Sequence, residues 1–202
     1  MKVAMKLNEI LSNEELTEIS IKHAVAVGAA ALSLVGSNVI NKKPSAPPFT
    51  GQSIHKQVNT DEIHKLTKAV LNNYVIDKVH AAKIVALAKK HEKPIFPKAK
   101  DILAVIGIES RFNPQAVSKL KHDPAIGLMQ VRPKAWGLEK TNLHDDNSQI
   151  AAGVDVLEKY YKRLKNPEDT IHAYNIGMKN FLTGKHNIRY VAKYNDELLK
   201  YN

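Results

Sequence analysis

From about residue 60 onward the chain repeats its apolar side chains at helical intervals and nowhere alternates them as a strand would. Ile150, Val154, Leu157, Tyr161 and Leu164 follow the i, i+3/i+4 spacing of one apolar stripe, and Val191, Tyr194, Leu198 and Tyr201 trace another. Asn59 or Thr60 can cap a first helix, whose N-terminus Asp61 and Glu62 favour electrostatically. Asp77 to His91 reads as a second helix, and Pro97 as the initiating proline of a third that ends near Ser110. Pro167, followed by Glu168 and Asp169, opens another. With no Asn-Gly hairpin signal and no internal repeat, residues 61–202 are expected to form one mainly α domain.

The chain before residue 60 has a different character. Ser12-Asn13-Glu14-Glu15 has the form of a capping box, so a helix is expected to start near Asn13. Ala24 to Asn41 then runs eighteen residues without a charge, flanked by Lys22 and His23 on one side and Lys42 and Lys43 on the other. As a helix it would span about 27 Å, the lower edge of bilayer thickness. Ala and Gly dominate it, so two readings stay open: a membrane-contacting or spanning segment, or a docking helix buried on protein. A cleaved secretory signal fits poorly, because about twenty residues containing four glutamates come first. The chain thus divides into a leader (1–41, apolar over 24–41), a Pro-containing linker (42–60) and the helical domain (61–202).

Composition narrows the function classes. The absence of cysteine excludes disulfides, thiolate metal sites and cysteine nucleophiles. Thirty Lys and Arg against 20 Asp and Glu give a net charge of +10, and the helical domain alone carries 24 against 16, or +8. The fitting partners are polyanions: nucleic acid, an acidic membrane surface or an anionic wall polymer. No zinc-finger, RNP or other specific nucleic-acid pattern is present. The nine histidines include no H-E-x-x-H, since His91-Glu92 runs into Lys93-Pro94, and neither a metal nor another cofactor is expected.

One residue breaks the apolar pattern in a chemically useful way. On a helix, Ile102, Val105, Ile106 and Glu109 share a face, so a carboxyl group falls where another aliphatic side chain belongs. Burial there would raise its pKa and equip it as a general acid near neutral pH. A glutamate at a helix end that curls into water is the plainer alternative.

Glu109 has company. Glu109-Ser110-Arg111-Phe112-Asn113-Pro114, Gly127-Leu128-Met129-Gln130 and Ala173-Tyr174-Asn175-Ile176-Gly177 occur in that order. Together they resemble the catalytic domain of the soluble lytic transglycosylases, a lysozyme-like fold that cleaves bacterial peptidoglycan. Asn142-Leu143 with Ile150-Ala151-Ala152-Gly153, and Tyr190-Val191-Ala192-Lys193, add weaker similarity, and the likeness covers about residues 75–202. The resemblance implies that Glu109 is the catalytic acid/base and that Ser110 orients that carboxyl or a sugar. It further implies that Met129 and Gln130 line the saccharide groove, that the Tyr174 hydroxyl lies near the acid, and that Asn175 binds sugar. Tyr190 is a second, weaker tyrosine candidate. The implied reaction needs one carboxyl group: it protonates the glycosidic oxygen, then takes the proton of the C6 hydroxyl of the same N-acetylmuramic acid, closing a 1,6-anhydro ring.

Two departures stand out. Residues 118–126 are longer and more basic (Lys119, Lys121, His122) than the small Gly-rich turn usual there, and Ile176 replaces a small residue. Most glycosidases use two carboxylates. Asp123, Asp145 and Asp146 could supply a second, although capping and loop solvation explain them as well. A lysozyme-type hydrolase and an inactive basic module that binds wall polymer or nucleic acid remain the rival readings. For the leader, Leu7-Asn8-Glu9 and Leu16-Thr17-Glu18 resemble the triplets cut by head-maturation proteases of tailed phages. That favours a virion-borne enzyme, whereas the apolar run is similar to the signal anchors of some phage endolysins; a membrane-anchored bacterial enzyme is the third option. In each case the active domain would face the periplasm.

Overall fold

A computed structural model describes residues 60–202. The leader, its apolar segment and all of the linker but Thr60 lie outside the described residues, and the membrane and virion readings lie there with them. Seven α-helices follow: α1 Thr60–Asn73, α2 Lys78–His91, α3 Ala99–Glu109, α4 Asp146–Leu164, α5 Pro167–Ile176, α6 Met178–Leu182 and α7 Ile188–Leu199. Short 3-10 turns at Lys134–Trp136 and Lys140–Leu143 interrupt the long α3–α4 connection. Among the described residues the extended pairing is limited to isolated bridges, Val117 with Ile126 and Ile126 with Val131. The mainly α expectation holds. None of the described helices is long and apolar enough to cross a membrane.

Helix starts follow local chemistry. Asp77 accepts a hydrogen bond from the His80 amide at 2.9 Å, Asp145 from Ser148 at 2.7 Å and Asn166 from Asp169 at 3.1 Å, each satisfying an amide that the helix leaves orphaned. Pro167 occupies the first turn of α5, as expected. Pro97 does not initiate α3. It follows a cis Phe96–Pro97 peptide, and α3 begins at Ala99, where the Asp101 carboxylate accepts from the Lys98 amide at 2.7 Å. The other end of α3 falls near Ser110, as expected. The helix stops at Glu109, and Arg111 (φ 54°) and Phe112 (φ 65°) turn left-handed just beyond it. Left-handed backbone costs a non-glycine residue about 1–2 kcal/mol, here offset by burial of the Phe112 ring against Tyr74 at 4.5 Å.

The core is arranged around α3. Ile102, Leu103, Ala104, Val105 and Ile106 are all completely buried, so this helix is enclosed on every side rather than amphipathic. Helices α2 and α7 pack directly against it, while α4 packs on α2 and α5. The α1 stripe of Ile63, Leu66, Thr67 and Val70 is buried at i, i+3, i+4 and i+7, as a single apolar face requires. Because α3 has no solvent face through its middle, whatever stands at its last residue emerges from the core at a fixed place.

Truncating this helix should be costly. Ile106→Ala is expected to lose about 2–5 kcal/mol in urea denaturation, the usual cost of an aliphatic cavity. A loss below about 1 kcal/mol would show that α3 is not the packing centre.

Candidate active site

Glu109 is that last residue of α3, and its carboxyl is half-buried. Burial pushes its pKa above the ordinary 4.5, while the hydroxyl of Tyr190, donating to Oε1 at 2.5 Å, pulls it part of the way back. No cation among the described residues offsets the burial, so the protonated form is favoured beyond the usual carboxylate range. Tyr190 is buried on the first turn of α7, placed there by Asn187, whose Oδ1 accepts from the Tyr190 amide at 3.2 Å. Burial, and then the Glu109 charge, hold the Tyr190 phenol well above its ordinary pKa, so it serves as a proton donor in this bond.

Tyr174, on α5, donates its hydroxyl to the Met129 carbonyl at 2.7 Å. Its phenol is likewise raised far above the ordinary value, first by burial and next by the nearby Glu109 charge, so the acid and this hydroxyl share one field. Asn175 is exposed, and its Oδ1 accepts from Asn187 Nδ2 at 2.7 Å, leaving Nδ2 as a donor. Asn187 therefore bridges Asn175 to the start of α7. The sequence reading missed it; the usable signal was an asparagine three residues before Tyr190, an N-cap followed by its N3 position.

Three further residues expected to bind substrate make contacts within the fold. The Ser110 hydroxyl donates to the Ile106 carbonyl one turn back, at 3.2 Å. The Met129 side chain is completely buried, its Sδ filling the space that a Cβ on Gly153 of α4 would need. Gln130 Nε2 donates to the Ala116 and Gly127 carbonyls, both at 3.0 Å, leaving Oε1 as an acceptor.

The Gly127–Gln130 segment is also a scaffold. Gly127 has φ 75°, and a Cβ there would lie 2.2 Å from the buried amide of Gln149, so glycine is required on both counts. Gln149 Oε1 accepts from the Leu128 amide at 2.8 Å, and Nε2 donates to the Pro114 and Leu143 carbonyls at 3.1 and 3.2 Å. A single side chain of α4 thus ties the Glu109 motif, the Gly127 motif and the turn before α4 together. No sequence motif marked it.

The other acids have structural employment. Asp123 is buried and accepts from the Lys134 and Ala135 amides at 3.0 and 3.1 Å, with Arg132 at 3.3 Å. Asp145 caps α4, and Asp146 pairs with Lys83 at 2.8 Å and His80 at 3.1 Å. The described residues contain no group of three or more His, Cys, Asp or Glu able to hold a metal ion. Two cavities, of about 390 and 220 Å³, lie elsewhere, around Asp101 and around Lys134.

A lone acid at the end of a buried helix, faced by two tyrosines on a helical scaffold, defines a class. Residues 87–197, more than half of the chain, match the Transglycosylase SLT domain, and the chain belongs to that family. It is also 26% identical over 215 aligned positions to the "Membrane-bound lytic murein transglycosylase C" of Haemophilus ducreyi. That alignment covers 84% of this chain and 58% of the relative, so the chain spans little more than half of the relative's length. No solved structure matches the chain significantly.

The raised pKa makes a stability prediction. Between 4.5 and its folded value, Glu109 holds more proton in the folded chain than in the unfolded one. Its contribution is therefore fully present below 4.5 and is lost as pH rises through the folded pKa. Glutamine escapes that loss. Glu109→Gln should have the higher urea midpoint at about pH 8, with the advantage shrinking toward about pH 4; an equal difference at both would contradict the shift.

Proposed function

We propose that this chain is a peptidoglycan lytic transglycosylase that cleaves the β-1,4 bond between N-acetylmuramic acid and N-acetylglucosamine without water, with Glu109 as acid and base. The carrying observation is a single carboxyl, raised in pKa by burial and held by the Tyr190 hydroxyl, while Asp123, Asp145 and Asp146 are committed to caps and ion pairs. Family membership and the murein named for the H. ducreyi relative support the substrate class.

In this reading protonated Glu109 gives its proton to the glycosidic oxygen as the bond to C1 of the muramic acid breaks. Positive charge develops at C1 and the ring oxygen, and the new carboxylate stabilises it. The C6 hydroxyl of the same sugar then attacks C1 and returns its proton to Glu109, which closes the 1,6-anhydro ring and restores the starting state. A nucleophile already attached to the substrate has a high effective concentration, so no second carboxylate is needed to direct a water. Tyr190 fixes the carboxyl in place. Tyr174, anchored through the Met129 carbonyl, the Nδ2 of Asn175 and the Oε1 of Gln130 are the polar groups offered to the sugars. The lactyl and stem-peptide carboxylates of murein suit the +8 charge of the domain. Action on this polymer puts the working domain on the periplasmic side.

Digestion of purified murein should release 1,6-anhydro-muropeptides, read by mass spectrometry, and Glu109→Gln should lower turnover at least about 1,000-fold while still sedimenting with the wall. Reducing ends alone would identify a lysozyme-type hydrolase instead, and undiminished clearing by Glu109→Gln would remove the acid from its assigned role.

Tyr190→Phe should shift the pH profile in a defined direction. Loss of the phenol's hydrogen bond raises the Glu109 pKa further, so the alkaline fall in kcat/KM should move to higher pH although turnover drops. Movement to lower pH would contradict the assignment.

A further inference from the structure

We propose that Tyr74, Glu197 and Lys200 form a positioning device for the catalytic carboxyl, acting through α7 and the Tyr190 hydroxyl; the proposal rests on the reading of Glu109 given above. Glu197 lies seven residues after Tyr190 on α7, two turns along the same helix face. Its Oε2 accepts the hydroxyl proton of Tyr74, the residue that follows α1. Lys200 Nζ closes the cluster, 2.6 Å from Glu197 Oε1 and 3.2 Å from the Tyr74 hydroxyl oxygen, and 4.9 Å from the Tyr74 ring centre.

This cluster sits directly on α3, two residues before the acid. A Cβ on Gly107 would lie 2.4 Å from the Tyr74 hydroxyl oxygen and 2.7 Å from Glu197 Oε2, so the bonded pair occupies the space left by the missing side chain. The same Tyr74 ring packs 4.5 Å from Phe112, three residues after the acid, in the left-handed turn that ends α3. Tyr74 thus touches the segment on both sides of Glu109 and grips the helix that carries its hydrogen-bond donor. None of the three residues reaches the carboxyl itself, so each is a positioning residue. What they set is the distance across which Tyr190 meets Glu109, and a donor held at 2.5 Å loses strength quickly when its helix can drift.

Tyr74→Phe is the informative variant, since it keeps the ring against Phe112 and removes only the hydroxyl, with its bonds to Glu197 and Lys200. On soluble glycan strands kcat should fall roughly 3- to 10-fold with KM unchanged, the scale of coupling within one hydrogen-bond network. The alkaline limb of kcat/KM should move to higher pH, the direction given by Tyr190→Phe. In the Tyr190→Phe background, Tyr74→Phe should move it no further, because the contact it positions is already gone. Glu197→Gln gives the same test if Tyr74→Phe folds poorly by circular dichroism. A folded variant with an unmoved limb, or a shift that adds fully to that of Tyr190→Phe, would overturn the proposal. Glu109→Gln assayed alongside separates the two layers. If it is inactive while the Tyr74→Phe limb stays put, the network alone fails; if it is fully active, the role of the acid fails and the network with it.

Discussion

The whole arrangement depends on an ionisable group standing at the end of a helix that is otherwise sealed from water. α3 is buried through its middle, from Ile102 to Ile106, and that burial is non-directional and large. Its last side chain has no such freedom. The Glu109 carboxyl must emerge where α3 stops, in surroundings poor in water, and it receives one neutral donor rather than a cation. A lysine or arginine in place of Tyr190 would lock the charge on and spoil a proton donor. A phenol holds the group in place while leaving the proton within reach. The same logic makes the site a liability for stability, as groups poised for chemistry commonly are.

α7 is the element that makes the position exact enough to matter. Tyr190 bonds Glu109, Tyr194 bonds Asp101 at 2.5 Å near the start of α3, and Glu197 bonds Tyr74 over Gly107. Three hydrogen bonds between phenols and carboxylates thus tie α7 to α3 and its flank. Burial raises the pKa of Asp101 as well, with the Tyr194 hydrogen bond opposing the shift. The Gly127–Gln130 segment contributes through its backbone. Gln149 and the Gln130 amide consume its orphan donors and acceptors, and the Met129 carbonyl is left to hold Tyr174. Buried polar groups must find partners, and here the pairing of loop backbone with two glutamines also locates a site tyrosine.

Much of the fold was legible in the sequence because helix signals are local. The 3.6-residue stripes, the helix start at Asp77 and the proline at α5 each act within a few residues. Pro97 misled because a helix-initiating proline and one just outside the helix look alike when the preceding peptide's geometry is hidden. At the site, the offset of Glu109 on an apolar face was readable, and so was its motif company. The division of labour was not. Ser110, Met129 and Gln130 look equally fit to touch sugar in one dimension, yet the Ser110 hydroxyl bonds Ile106, Met129 packs at Gly153, and Gln130 spends its Nε2 on the carbonyls of Ala116 and Gly127 and keeps its Oε1. Conversely, Tyr190, Asn187 and Gln149 owe their importance to partners 81, 12 and 21 residues away, a relation that no local pattern encodes.

The central claim concerns where one proton resides, and it can be observed without substrate. Carboxyl ¹³C NMR of the intact protein, with the Glu109 resonance assigned by its loss in Glu109→Gln, reports the titration directly. The account predicts a midpoint clearly above 4.5, with the neighbouring Tyr190 hydroxyl still protonated throughout. A midpoint at or below 4.5 would mean that water or an unseen positive charge reaches the carboxyl, and the structure would then hold a surface glutamate instead of a poised acid.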